Sequence, residues 1–194
     1  CFAHLGHRVV CYDIDKEKID KLSTGEIPIV EKGLETLVKE GLKENKLSFT
    51  NNPQEAVSEC NVVFLCVPTP QQADGTTDIS MVDSAVSSIA QFLPENSVLV
   101  NKSTVPVGSA QKVFEKLNRP DIAVVSNPEF LREGTAVDDF LQPERIIIGS
   151  EKPDAAQMVA ELYEKVEAPL LITDPISAET IKYSANAFLV TKLS

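Results

Sequence analysis

An α/β fold built on a doubly wound parallel sheet is the architecture this chain predicts, and three observations predict it. Short β-branched runs recur without polar alternation, as strands covered on both faces require. Helical patterns fall between them, giving repeated strand–helix–strand units. Three of the runs end in polar, proline-stiffened segments. These are Pro68-Thr69-Pro70, Asn101-Lys102-Ser103-Thr104-Val105-Pro106, and Ser126-Asn127-Pro128-Glu129-Phe130-Leu131-Arg132-Glu133-Gly134. Ligands of open α/β sheets bind at the carboxyl ends of the strands, so function is sought in these segments.

Taken in order, residues 1–6 read as the end of a helix, with Gly6 at a C-cap position. Residues 9–12 form a strand that ends in Asp13, and a helix follows over 16–22. A helix over 33–43, a strand over 47–50 and a proline-opened helix over 53–58 come next. Strands are expected over 62–67, 98–101, 122–126 and 145–148, separated by helices over 78–92, 109–117 and 135–140. A helix over 153–163 and a short strand over 170–172 complete the sheet. A last helix begins near Ser177 and runs to Ser194. Its Ile181, Ala185, Phe188 and Leu189 recur at helical spacing and predict one apolar face. Neither Gly nor Pro follows Pro175 to stop it, so the helix is expected to continue beyond this chain.

The 194 residues suffice for one domain, or one domain and the start of another. With 43% hydrophobic and 24% charged residues the chain can bury a core. The net charge of −11 argues against a nucleic-acid-binding surface. A phosphate ligand stays open, because backbone N–H groups at helix N-termini bind phosphate without net positive charge. The four cysteines, Cys1, Cys11, Cys60 and Cys66, form no CxxC pair and read as free thiols in a reducing cytoplasm. With only His4 and His7 beside them, no metal site is expected. No apolar run approaches the roughly 18 residues of a membrane span.

A dinucleotide site of the Rossmann type needs a Gly-rich turn, a helix, a second strand and then an acidic residue. Asp13 stands where that acid would, but counting back about 20 residues reaches past Cys1. None of the eight glycines makes a GxGxxG turn. The strand ending in an acid favours a sheet whose first strand and Gly-rich turn precede residue 1. Asp13 can accept both hydroxyls of an adenosine ribose or simply cap the helix behind it. Lys18 lies near the same edge, or is an ordinary solvated lysine. Thr104 can bond a cofactor or position a water, or serve as a helix-entry turn residue. Glu129 and Glu133, four apart, share one side if Pro128 opens a helical turn; they then work as an acid–base or ligand-binding pair, or are solvated acids. Lys182 and Asn186, also four apart, can steady a developing oxyanion; alternatively Lys182 snorkels at the edge of the apolar face.

Five motifs occur together in order: Val67-Pro68-Thr69-Pro70, Ser103-Thr104-Val105-Pro106-Val107-Gly108, the segment from Asn127 to Gly134, Pro143-Glu144-Arg145-Ile146, and the stretch from Glu179 to Phe188. As a set they resemble the UDP-glucose/GDP-mannose dehydrogenase family over the whole chain, and within it the branch that oxidises UDP-glucose at C6. The resemblance implies NAD as cofactor and a UDP-sugar as substrate. It implies oxidation of an alcohol to a carboxylate in two hydride transfers, through a thioester on a cysteine. It places Asp13 at the adenosine ribose, with Lys18, Val67, Pro68, Thr69, Ser103 and Thr104 along the cofactor and Glu133 near the nicotinamide. Thr104 resembles the family's threonine beside the catalytic water, and Glu129 its acid/base glutamate. Phe130, Leu131 and Arg132 match the substrate loop, Lys182 the lysine at the C6 oxygen, and Asn186 its helical neighbour. Two departures stand out: the Gly-rich turn and the cysteine nucleophile have no counterpart here. The resemblance therefore implies an amino-terminal part, inactive alone, with an incomplete dinucleotide-binding domain over 1–175 and the beginning of a central helix over 176–194. A homodimer or higher homo-oligomer is implied for the parent. Related UDP-N-acetylhexosamine or GDP-mannose dehydrogenases, and a non-catalytic nucleotide-binding module, are the alternatives.

Overall fold

A computed structural model describes residues 1–193; Ser194, the last residue of the expected final helix, lies outside the described residues. Helix α1 (Phe2–Leu5) ends at Gly6, whose φ of 108° is the left-handed cap expected there. Strand β1 (Val9–Tyr12), helices α2 (Lys16–Ser23) and α3 (Leu34–Lys43), and strand β2 (Leu47–Thr50) form the first unit. Then follow α4 (Pro53–Val57), β3 (Val62–Leu65), α5 (Ser80–Ile89), β4 (Val98–Asn101), α6 (Ser109–Leu117) and β5 (Ala123–Ser126). The chain ends with α7 (Ala136–Leu141), β6 (Ile146–Gly149), α8 (Pro153–Glu161), β7 (Leu170–Thr173) and α9 (Pro175–Leu193).

The strands make two sheets. β1 and β2 pair in parallel as one, while β3-β4-β5-β6-β7 lie in sequence order in the other. Within the larger sheet β3–β4, β4–β5 and β6–β7 are parallel, and β5 meets β6 at one antiparallel bridge, Ser126 to Gly149. Helix α4 packs against β1, and Val10 and Tyr12 join the core beneath α5 and α6. The two sheets thus share a core without sharing a ladder.

The unbroken apolar runs have the cause anticipated: both faces are covered. Val98 and Val100 of β4 join Val125, Ile146, Ile148 and Val159 on one face, with α8 and α1 outside. Leu99 joins Leu65, Val86, Val113 and Ile122 on the other, beneath α5 and α6. Each such aliphatic side chain contributes about 1.5–3 kcal/mol by burial. Phe2 sits 5.0–5.1 Å from the rings of Phe64, Phe140 and Tyr163, tying α1, β3, α7 and the end of α8 together.

Several boundaries differ from expectation for local reasons. β3 stops at Leu65 rather than 67, because its last ladder acceptor is the Leu65 carbonyl, bonded by Lys102 N at 3.0 Å. Helix α5 starts at Ser80 and tightens into a 3-10 turn over Ala90–Phe92. Helix α9 starts two residues early, since Asp174 accepts from both Ser177 N (2.9 Å) and Ser177 Oγ (2.6 Å). The larger correction concerns its face. Phe188 and Leu189, predicted to lie on a buried stripe, are exposed. Among the described side chains of α9, Pro175, Ala178, Glu179 and Lys182 are buried instead. The start of α9 lies on β6 so closely that a Cβ at Gly149 would come within 2.6 Å of Ala178 Cβ. The two polar side chains are buried because they bond backbone groups of α6 and of the segment after β5.

Candidate functional site

The segments after β3, β4 and β5 converge at the carboxyl edge of the large sheet. Ser103 Oγ donates to the Val67 carbonyl at 2.7 Å, and Thr69 Oγ1 donates to the Thr104 carbonyl at 2.7 Å. Val67, Pro68, Thr69, Ser103 and Thr104 therefore form one joined rim. Below it lies a hollow of about 10 Å³, lined by Asn101, Ser103, Thr104, Ser126, Glu179 and Lys182. That is space for the centre of about one water. Asn101 is 2% exposed, and its amide bonds no other protein group among the described residues.

Lys182 reaches this edge from α9. Its ammonium donates to the Glu129 carbonyl and, at 3.2 Å, to Glu129 Oε1. It also lies 5.2 Å from the centre of the Phe130 ring, whose other neighbour is the Arg145 guanidinium at 4.8 Å. The sequence thus placed Thr104, Glu129, Phe130 and Lys182 in one region, and the structure brings them together. It does not bring Asn186, which is exposed one turn further along α9. Nor does Pro128 open a helical turn: residues 127–132 are irregular, and the next turn precedes α7. Glu129 folds back to accept from Leu131 N at 2.6 Å, while Glu133 faces solvent, so the two carboxylates are not a facing pair. Arg132 grips Asp139 with two guanidinium N–H bonds (3.1 and 2.6 Å), and this holds the Asp139 carboxyl down at about 2.

Buried polar groups that sequence reasoning missed build the floor. Gly108 stands at the N-cap of α6 with φ 88° and has no side chain to cap it. Glu179 caps it from α9. Its Oε2 accepts from Gly108 N (2.6 Å), and its Oε1 accepts from Ala110 N (2.9 Å) and Ser126 Oγ (3.1 Å). Asn127 is fixed next door. Its Nδ2 donates to the Ile147 carbonyl (2.8 Å), and its Oδ1 accepts from Tyr163 OH (2.6 Å) and Lys102 Nζ (3.3 Å). Burial lowers the Lys102 ammonium to about 8; Cys66 and Glu129 work against the shift, and the charge of Lys182 adds to it. Burial raises the Tyr163 phenol and the Cys66 thiol. A glycine cap announces that an acceptor must come from elsewhere, but nothing in the sequence says that it comes from residue 179.

Asp13 lies apart from this cluster, at the end of β1. Its Oδ1 accepts from Asp15 N (3.0 Å) and its Oδ2 from Lys18 Nζ (2.5 Å). Burial acts to raise this carboxyl, but Lys18 and the backbone N–H groups outweigh it and keep it below the ordinary aspartate value. Asp13 stays ionised, at a strand's carboxyl end, with lone pairs left for a diol. It fits the ribose end of a dinucleotide. The four cysteines are free, and among the described residues no group of His, Cys, Asp and Glu could hold a metal ion. No described helix is long and apolar enough to cross a membrane.

Comparison with known proteins places this geometry. Residues 1–167 match the model of the UDP-glucose/GDP-mannose dehydrogenase family, NAD binding domain. The UDP-glucose 6-dehydrogenase TuaD of Bacillus subtilis is 44% identical over all of this chain and 43% of its own length. A UDP-glucose 6-dehydrogenase of Pseudomonas aeruginosa is 41% identical over all of this chain and 45% of its own. The chain therefore spans less than half the length of these relatives. Among solved structures, a UDP-glucose dehydrogenase from Pyrobaculum islandicum superposes with TM-score 0.91 at 39% identity, covering 97% of this chain and 45% of that one. A GDP-mannose dehydrogenase ternary complex from Pseudomonas aeruginosa superposes with TM-score 0.93 at 31% identity, covering 100% and 47%. With the sheet, the converging rim and the strand-end acid in place, these matches show that the chain belongs to the UDP-glucose/GDP-mannose dehydrogenase family and carries its NAD binding domain.

Proposed function

We propose that a protein carrying this chain oxidises the C6 alcohol of UDP-glucose to the carboxylate of UDP-glucuronate, in two hydride transfers to NAD. The observation that carries the reading is the buried Lys182 ammonium, held at the strand-end rim between Glu129 and the Phe130 ring. A fixed cation there stabilises negative charge developing on the C6 oxygen. Glu129 supplies a carboxylate beside it for proton transfer to or from water, and the Thr104 hydroxyl on the rim orients that water. Asn186, exposed one turn further along α9, has no role in this step. Asp13 and Lys18 hold the adenosine end of NAD, with Val67, Pro68, Thr69 and Ser103 along its length and Glu133 near the nicotinamide; bound there, NAD supplies the hydride acceptor. Phe130, Leu131 and Arg132 form the sugar-nucleotide loop.

In this reading residues 1–175 are the cofactor domain and 176–194 begin a connecting helix. Tyr183, Phe188 and Leu189, exposed on that helix, support a homodimer built on it. Free thiols support work in a reducing cytoplasm. GDP-mannose is the second substrate considered, because the fold superposes as well on the GDP-mannose enzyme as on the UDP-glucose enzyme. The higher identity to UDP-glucose enzymes favours the first reading. The test is stoichiometry in a full-length protein that includes these residues. UDP-glucose should yield about two NADH per sugar consumed. One NADH would limit the reaction to the aldehyde, and none would refute the proposal.

A further inference from the structure

The segment carrying Glu129 to Glu133 is exposed from residue 131 to residue 135, yet it must present side chains in fixed positions. Two side chains from elsewhere in the fold hold its ends. Lys182 of α9 holds the start through the Glu129 carbonyl. Glu31, in the connection between α2 and α3, holds the finish. Its Oε2 accepts from Gly134 N at 2.9 Å, and its Oε1 accepts from Ala136 N at 2.7 Å. The two donors lie more than a hundred residues away in sequence, at the turn where α7 begins. Thr135, the N-cap of α7, makes no side-chain cap bond, so Glu31 is the acceptor for that end. The Glu31 carbonyl also accepts from Leu34 N (3.2 Å), and Gly33 follows with φ 81°, so the carboxylate stands on a defined turn.

Glu31 belongs to the same β1–α2–α3–β2 unit as Asp13. That unit has its own sheet and shares no ladder with the strands bearing the sugar-nucleotide loop. A carboxylate gripping two backbone N–H groups is directional and charge-assisted. It therefore sets the height of the loop relative to the unit that holds the ribose end of the cofactor. Neither flanking contact duplicates it. Lys32 reaches Asp138 only at 4.0 Å between exposed side chains, and Arg132 pairs with Asp139 within the loop and α7 themselves.

We propose that Glu31 is a positioning residue for the sugar-nucleotide loop, fixing residues 129–133 against the cofactor-binding unit through the backbone of Gly134 and Ala136. The inference rests on the proposed function, since it names what the loop binds.

The experiment uses a full-length protein including these residues, in wild-type, Glu31→Ala and Glu31→Gln forms. UDP-glucose and NADH are titrated calorimetrically, and hydrogen exchange is followed over residues 130–140. The alanine variant should bind UDP-glucose roughly tenfold more weakly, part of what the two lost charge-assisted hydrogen bonds are worth, and NADH within about twofold of wild type. Amides 134 and 136 should lose protection, and melting temperature should barely move. Glutamine keeps one acceptor oxygen and should recover part of the affinity. Wild-type binding of UDP-glucose with no loss in Glu31→Ala would overturn the inference and leave the proposed function standing. Equal losses for NADH and UDP-glucose would also overturn it, by making Glu31 a general structural residue. A wild-type protein that fails to bind UDP-glucose would overturn the proposed function, and the inference with it.

Discussion

Asp13 and Lys182 mark two regions that are held in opposite ways. Asp13 is fixed by its own neighbourhood: Asp15 N lies two residues on and Lys18 five. Its ion pair is partly exposed, with side chains 46% and 30% accessible. Lys182 is fixed by partners 53 residues away, and Glu179 beside it by partners 53, 69 and 71 residues away. Both are under 10% exposed. The strand-end acid is thus held by a local construction open to water, while the Lys182 cluster exists only once the sheet and α9 have assembled. Damage to the first should stay local, and damage to the second should spread.

The largest effect is expected at Lys182. In a full-length protein, Lys182→Ala should lower kcat by about 10²–10³, the usual consequence of removing one preorganised electrostatic donor. UDP-glucose affinity should fall much less, because the contact strengthens in the transition state. Near-normal kcat with a lowered melting point would reduce Lys182 to a structural tether.

Glu179→Gln comes next and should appear in stability. The amide turns one acceptor into a donor facing backbone N–H groups, leaving a buried mismatch worth about 2 kcal/mol. Denaturant titration should show a lower midpoint with an unchanged slope. An unchanged midpoint would mean that the α6 cap is dispensable, and the contrast between the two regions would lose its main support.

Lys102 gives an effect that appears only as pH is raised. Its ammonium titrates near 8 in the folded protein, below its ordinary value of 10.5. Between those values the unfolded chain binds more protons, so stability rises with pH across that window and levels off outside it. Compared with Lys102→Met, wild type should therefore gain stability from about pH 8 to 10.5, by less than about 1.4 kcal/mol per pH unit. The Cys11 thiol, which burial pushes up to about 11, opposes this above pH 9 but is common to both proteins and cancels in the difference. A flat difference across the window would show that Lys102 is not desolvated.

The smallest change is expected from Asp13→Asn. Losing a partly exposed ion pair should cost about 0.5 kcal/mol or less. NAD binding should weaken several-fold, with UDP-glucose binding untouched. A stability loss as large as that of Glu179→Gln would erase the distinction between the regions.

The same contrast explains what could be read in advance. Alternation of buried runs and helical patterns located the strands, because burial on both faces leaves a mark in consecutive residues such as Val98, Leu99 and Val100. Asp13 was legible as a candidate because its place at a strand end, which the structure shows, follows from consecutive residues. Glu129, Thr104 and Lys182 were singled out as chemistry-bearing types at strand ends or helical spacing. Their meeting, and the involvement of Glu179, Asn127, Tyr163 and Glu31, depends on contacts between distant segments that leave no periodic trace. The apolar stripe on α9 misled for the opposite reason. Helical spacing marks a continuous face, but only where a neighbour covers it does that face become buried. Along α9 the neighbour is β6 under the first turns, and there the closest residue is an alanine.

The contact between Gly149 and Ala178 gives α9 the mechanics of a lever. A helix of 19 residues is a rod about 28 Å long, and its seat lies near one end. Raising that end by the bulk of one methyl group would not simply compress a core. A tilt of about 5° there would carry the far end about 2 Å sideways. Lys182, only one turn from the seat, would be dragged off the Glu129 carbonyl by a fraction of that. Gly149 therefore belongs among the positions where the alignment of an ammonium one helical turn from the seat is decided by a single hydrogen atom.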